Sequence, residues 1–168
     1  RTVAKDLQAA HYLAALMGDI APVWLPLLSF VIAGAVAFAT GTSWGTMAIL
    51  VPVCLPLTAE LAHAAPGAEV LLFLVGASVL DGAICGDHCS LISDTSVMSS
   101  IATGCDHVEH VRTQIPYALL AMVAAGLCGY LFVAFSGGTA WWLSYPMGLG
   151  LMLGWLFWRG RRAEAEVV

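Results

Sequence analysis

Between Ala68 and Gly104 runs an apolar stretch that is too long to be one helix in any ordinary setting. At 1.5 Å per residue it would extend about 55 Å as a straight helix, nearly twice the roughly 30 Å of a bilayer's hydrocarbon core. Its middle, DGAICGDHCSLISDTS at 81–96, holds three carboxylates, one histidine and four hydroxyl side chains. A run of this kind has to break, and the polar segment marks where. Chain beginning near Gly86 is expected to unwind and to resume as helix near Ser93, with Ser93 or Asp94 accepting from the orphan amides of the second piece.

The setting in which that break occurs is a membrane. Sixty per cent of the 168 residues are hydrophobic and ten per cent charged, whereas a soluble domain carries about a quarter charged residues. Apolar stretches at Val23–Thr40, Trp44–Leu61, Ala68–Ala83, Ile115–Phe135 and Trp141–Trp158 approach the roughly 20 residues a spanning helix needs. The expected fold class is an all-α polytopic membrane protein: a re-entrant helical hairpin, a broken transmembrane helix over 68–104, and two further transmembrane helices at 115–135 and 141–158. Residues 23–61 are the hairpin, or a second broken helix, because FATGTSWGT at 38–46 sets two glycines, three threonines and a serine between two apolar arms. Pro52 and Pro56 in the second arm are tolerable where neighbouring helices satisfy the freed carbonyls. Residues 1–22 form a separate unit, with Val3, Leu7, Ala10 and Met17 at helical spacing, and are expected to be an amphipathic, interfacial helix. Residues 23–168 make the transport domain proper.

Charge sets orientation and excludes one class of partner. Net charge is −5 with only six Lys and Arg, which form no stripe, so nucleic acid is not a partner. Arg159, Arg161 and Arg162 follow the last apolar stretch and Arg112 lies in the 105–114 loop; the positive-inside tendency puts both on the cytoplasmic side. Membrane lipid is the expected surrounding, with Trp141, Trp142, Tyr145 and Trp158 as interfacial anchors. Gly148, Gly150 and Gly154 suit close helix contact, within the chain or in a homo-oligomer.

Ionisable groups at bilayer depth usually face a protein interior or a wet cavity and mark ion pathways. Discontinuous helices supply free amides and unwound carbonyls for ions near the midplane, and a carboxylate there adds charge for sodium or carries a proton. Asp87 and Asp94, flanking the break, and Asp81 before it are the candidates for a shared proton and sodium site, with Asp87 and Asp94 as the sodium ligands. One site that cannot hold both ions at once produces exchange by competition. Structural roles are also open to these groups: a cap for Asp94, a His88 partner for Asp87, and helix back-bonding for Thr42, Ser43 and Thr46.

GTSWGT at 41–46, the following arm with VP, DGAICGDHCSLISDT at 81–95 and CDHVEHVRTQIPYAL at 105–119 together resemble the C-terminal part of the NhaC family of sodium/proton antiporters. The resemblance covers about Phe30 to Leu119. It implies a secondary active transporter with two inverted repeats, each holding a re-entrant hairpin and a broken helix, that exchanges sodium for protons or couples them to organic acids such as malate and lactate. It further implies that Thr42, Ser43 and Thr46 form the hairpin tip and that Asp87, Ser90, Ser93, Asp94 and Thr95 form the broken-helix part of the site. Such a protein would sit in a bacterial plasma membrane, need no resident cofactor, and require the upstream half of the same transporter. The chain opens on Arg1 with no signal-peptide pattern and is expected to continue upstream. In one respect it departs from the family: the residue after Ser90 is usually proline there and is Leu91 here.

A rival from another class is a non-transporting module with a structural or sensory zinc, drawing ligands from Cys85, His88, Cys89, Cys105, His107 and His110. Their spacing is poor, since the two clusters lie at opposite ends of a half-helix. No hydrolase elbow, zinc-protease helix or phosphate loop is present, so no catalytic residue is assigned.

Overall fold

The computed structural model describes residues 21–62, 67–136 and 140–167, with side chains described as far as 159. Among these residues all regular structure is helical, with no strand. After a 3-10 turn at Pro22–Trp24 the helices are α1 (Leu25–Thr40), α2 (Ser43–Leu61), α3 (Ala68–Cys89), α4 (Asp94–Thr103), α5 (His107–Ala124), α6 (Phe132–Phe135) and α7 (Ser144–Val167). A seven-residue π segment, Ala125–Leu131, joins α5 to α6 without a break in direction. Four described stretches are long and apolar enough to cross a membrane: Pro22–Thr40, Ser43–Leu61, Ala68–Cys89 and His107–Phe135. The all-α polytopic class expected from the sequence is therefore the class observed. The proposed helix over 1–22 lies outside the described residues but for its last two.

The core is built on small residues. α1 packs most extensively on α3, and Ala33, Ala37, Val79 and Ala83 are fully buried between them, with Met47, Leu50, Val51 and Cys54 of α2 packed on the outside. Gly82 and Gly86 let the backbones meet: a methyl group at Gly82 would lie against the Phe30 carbonyl, and one at Gly86 against the Gly34 carbonyl. Spaced four apart, they form a small-xxx-small contact of the kind that lets membrane helices approach closely. Of the later glycines, Gly148 has Cys128 Cβ 3.8 Å from where its own Cβ would stand, while Gly150 and Gly154 have no described residue within 4 Å of that point.

These contacts fix direction. Residue 30 meets 82 and residue 34 meets 86, so α1 and α3 run parallel. Leu55 of α2 lies beside Gly76 while Met47 and Leu50 lie lower on the same core, so α2 runs antiparallel to both. Residues 25–61 are thus a helical hairpin. α5 returns alongside, with Met122 at Gly34, Gly126 at Phe30 and, beyond the π segment, Phe135 edge-on to Trp24 at 5.4 Å between ring centroids. From the level of Gly34, α1 has seven residues left before Gly41, about 10 Å, whereas α5 extends fifteen residues to His107, about 22 Å. The hairpin tip therefore stops well inside the bundle.

Candidate functional site

Each edge of the site is a helix end held by its own sequence. α1 terminates at Gly41 in the left-handed conformation (φ 68°), and Thr42, extended, caps α2 by accepting from Gly45 N at 3.3 Å. α3 runs on through Gly86, where the sequence predicted the break, to Cys89; the glycine serves close packing there and the helix stays intact. The chain leaves helix at Ser90 (φ −85°, ψ 130°) and re-enters after Ser93 (φ −64°, ψ 125°). Between them Ser93 N donates to Ser90 O at 3.4 Å, a β-turn with Leu91 and Ile92 at its centre. Ser93 caps α4, its hydroxyl accepting from Ser96 N at 3.3 Å. The helix breaks here without a proline, because two serines in extended conformation divert the chain and supply local partners for the freed amides.

The tip and the break meet. A Cβ on Gly41 would stand 2.6 Å from the Ile92 carbonyl oxygen and 2.8 Å from its carbon. From the other side His107 at the start of α5 holds the same turn, its Nε2 donating to the Leu91 carbonyl at 2.8 Å.

At the centre lies Asp87, 3 % exposed. Thr95 Oγ1 donates to its Oδ2 at 3.0 Å, and the Ser93 and Thr95 hydroxyls are 2.8 Å apart. Thr95 gives its hydrogen to the carboxylate, so Ser93 donates to Thr95, forming a chain of hydroxyls that ends on Asp87. The other oxygen, Oδ1, is buried and has no hydrogen-bond partner among the described residues. An unpaired carboxylate oxygen away from water costs several kcal/mol unless a proton or a cation meets it.

Of the residues singled out from sequence, the structure gathers Asp87, Ser90, Ser93 and Thr95 around one turn and sets the tip against it. The hydroxyls of Thr42 and Thr46 are engaged within α2: Thr46 Oγ1 donates to Thr42 O at 2.9 Å. Ser43 is buried at the tip. Asp94 is exposed, and its Oδ1 accepts from Thr95 N at 2.9 Å, serving the first turn of α4. Asp81 is not at the break. It lies six residues before Asp87, about 9 Å of rise and 120° of rotation away, where Tyr130 Oη donates to its Oδ2 at 2.6 Å. Sequence reasoning missed Tyr130. Its signal was faint: one phenol beside Gly126 and Gly129 in an otherwise apolar span.

The zinc set does not assemble. His88 Nδ1 donates to the Ile84 carbonyl at 2.8 Å, while His107, His110 and Cys105 gather at the α4–α5 corner, where both imidazoles reach Ser100 Oγ at 3.1 Å and Cys105 Sγ lies 3.5 Å from His110 Nδ1. Among the described residues no three His, Cys, Asp or Glu side chains are grouped to hold a metal.

With this geometry in view, comparison with known proteins is decisive on one point. Residues 1–135 match the Na+/H+ antiporter family. The chain belongs to that family. A protein of Haemophilus influenzae described only as uncharacterised is 46% identical over 132 residues, 78% of this chain and 24% of that protein. The malate-2H(+)/Na(+)-lactate antiporter of Bacillus subtilis is 33% identical over 103 residues, 60% of this chain and 20% of that protein. The chain thus spans a quarter or less of the relatives it matches. No solved structure matches. Family and apolar helices together make it part of an integral membrane protein of that family.

Proposed function

We propose that this chain is the part of a sodium/proton antiporter that carries the coupled ion site, and that Asp87 is the group at which sodium and the proton compete. The observation that carries this reading is the buried Oδ1 of Asp87 with no partner among the described residues, on a carboxylate whose other oxygen is held by Thr95. A proton on Oδ1 neutralises the group. A sodium ion there is met by the charge of the carboxylate, with hydroxyls of Ser90, Ser93 and Thr95 nearby. The two states exclude one another, and exchange follows from that competition. Ser43 and Thr46 of the hairpin tip and Asp94 at the start of α4 would complete the surroundings in the intact transporter. Orientation follows the positive residues: the 104–106 turn and the C-terminus on the cytoplasmic side of a bacterial plasma membrane, and the start of α1 on the other.

The Bacillus relative supports a second reading, in which the same site couples sodium and protons to an organic acid. Both readings are tested with the full-length protein in proteoliposomes, with an internal pH-sensitive dye and an imposed pH gradient. Collapse of the gradient on adding sodium, lost in Asp87→Asn while the variant still inserts, is the expected result. Collapse only when malate or lactate accompanies sodium selects the second reading, and exchange unaltered in Asp87→Asn refutes the role of Asp87 in both.

A further inference from the structure

Asp81 is a carboxylate at membrane depth that the break does not use. Its side chain faces away from α1, towards a cavity of about 490 Å³ between α3, the π segment and α7. The walls are mostly small or apolar, among them Ala77, Ala121, Ala125 and Gly129, with Tyr145 from α7. Tyr130 reaches Asp81 because the π segment offsets its register: the ring is buried, stacked on Phe30 at 5.0 Å between centroids, and its hydroxyl ends on Oδ2. π segments inside helices recur at functional sites.

We propose that Asp81 and Tyr130 form a second proton-binding site, separate from the break. The chemistry of the donors selects a proton over a metal cation. A hard cation takes about six oxygen ligands, whereas this cavity offers the Asp81 carboxylate, the two phenols of Tyr130 and Tyr145, and Ser144, whose hydroxyl is already given to the Trp141 carbonyl. The titratable groups facing Asp81 are Cys85 one turn along α3, Tyr130 from the π segment and Tyr145 from α7. α1 has none, α5 contributes only Ala121 and Ala124 to the cavity, and among the described residues no Lys, Arg or His lines it. Asp81 is exposed on the open side of this cavity, and with no positive side chain among the described residues to neutralise it, a proton is the charge-balancing partner those residues admit. Tyr130 keeps its hydrogen in both states and donates to Oδ2, so the exchangeable proton belongs on Oδ1. Taking it up converts carboxylate to carboxylic acid, and giving it back restores the carboxylate.

The inference deepens the antiporter reading by adding a proton carrier that sodium does not contest, and its test is independent of transport. In the purified full-length protein, pH-difference infrared spectra report protonated carboxyl groups directly. A carboxylic C=O band is expected that disappears in Asp81→Asn, persists in Asp87→Asn, and changes frequency in Tyr130→Phe as its hydrogen bond is lost. Should Asp81→Asn not fold, the Tyr130→Phe spectrum decides. If no carboxylic band is lost in Asp81→Asn and kept in Asp87→Asn, or if that band is unmoved in Tyr130→Phe, the proposal is overturned. In proteoliposomes Asp81→Asn is further expected to retain sodium-induced thermal stabilisation while moving fewer protons per sodium; an unchanged ratio also counts against the site. Absence of sodium-coupled proton movement in the wild type would refute the antiporter reading, and the infrared result would still stand on its own.

Discussion

Gly41→Ala tests whether the hairpin tip is built against the break or merely lies near it. Among the described residues Gly41, Gly67 and Gly104 are the three glycines with positive φ, at 68°, 88° and 66°. A side chain in that conformation costs roughly 1–2 kcal/mol at any of them. Of these, Gly41 also has something to strike: a new Cβ would stand 2.6 Å from the Ile92 carbonyl oxygen, whereas at Gly67 and Gly104 no described residue lies within 4 Å. Ordinary C···O contacts are about 3.3–3.6 Å, so tip and break must separate by close to 1 Å, an overpacking cost of about 1–3 kcal/mol. Gly41→Ala should therefore destabilise by about 2–5 kcal/mol and Gly104→Ala by only about 1–2. The difference reports the tip–break contact alone, since the backbone contribution cancels. Reversible unfolding of the full-length protein in mixed micelles gives the stabilities, and proteoliposome flux gives activity. Gly41→Ala should lose exchange while Gly104→Ala keeps it. Equal destabilisation by the two substitutions would refute the packing of the tip on the break.

Thr95→Val removes the one donor to the Asp87 carboxylate among the described residues and leaves a second carboxylate oxygen unpaired; a loss of about 1–3 kcal/mol in stability is expected by chemical unfolding, with exchange impaired and Thr95→Ser restoring both. Gly86→Ala places a methyl group against the Gly34 carbonyl and should weaken α1–α3 packing by about 1–3 kcal/mol, read as a lowered unfolding midpoint, whereas Gly150→Ala, with open space around it within the chain, should be nearly silent. Chelation of divalent metals should leave the thermal transition unchanged, because among the described residues no three His, Cys, Asp or Glu side chains are grouped to hold a metal; a large drop would restore the zinc module as a reading.

The difference between what the sequence carries and what the fold adds is clear at particular residues. Long apolar runs require helices in lipid, since no other open structure satisfies the backbone there. A 37-residue run with serines, glycine and aspartates at its centre requires a break. Capping was also local: Ser93 was legible before α4, while Asp106, which the sequence reading did not single out, caps α5, its Oδ1 accepting from Glu109 N at 2.9 Å. The exact point of the break was not legible, because Gly86 reads as a helix breaker until α1 is seen to need its missing side chain.

The sequence alone determined that this chain is helical, membrane-spanning, interrupted by polar residues at depth, and similar to antiporters. Those properties follow from composition, spacing and motif, each a matter of near neighbours along the chain. Tertiary structure decided which carboxylate stands alone. Asp81 and Asp87 look equivalent on one helix, but rotation about its axis turns Asp81 to a tyrosine 49 residues away in sequence and buries Asp87 beneath Thr95. Burial and partners depend on which helix lies alongside, and Gly41 on Ile92 or Gly86 on Gly34 is a contact that no local pattern encodes.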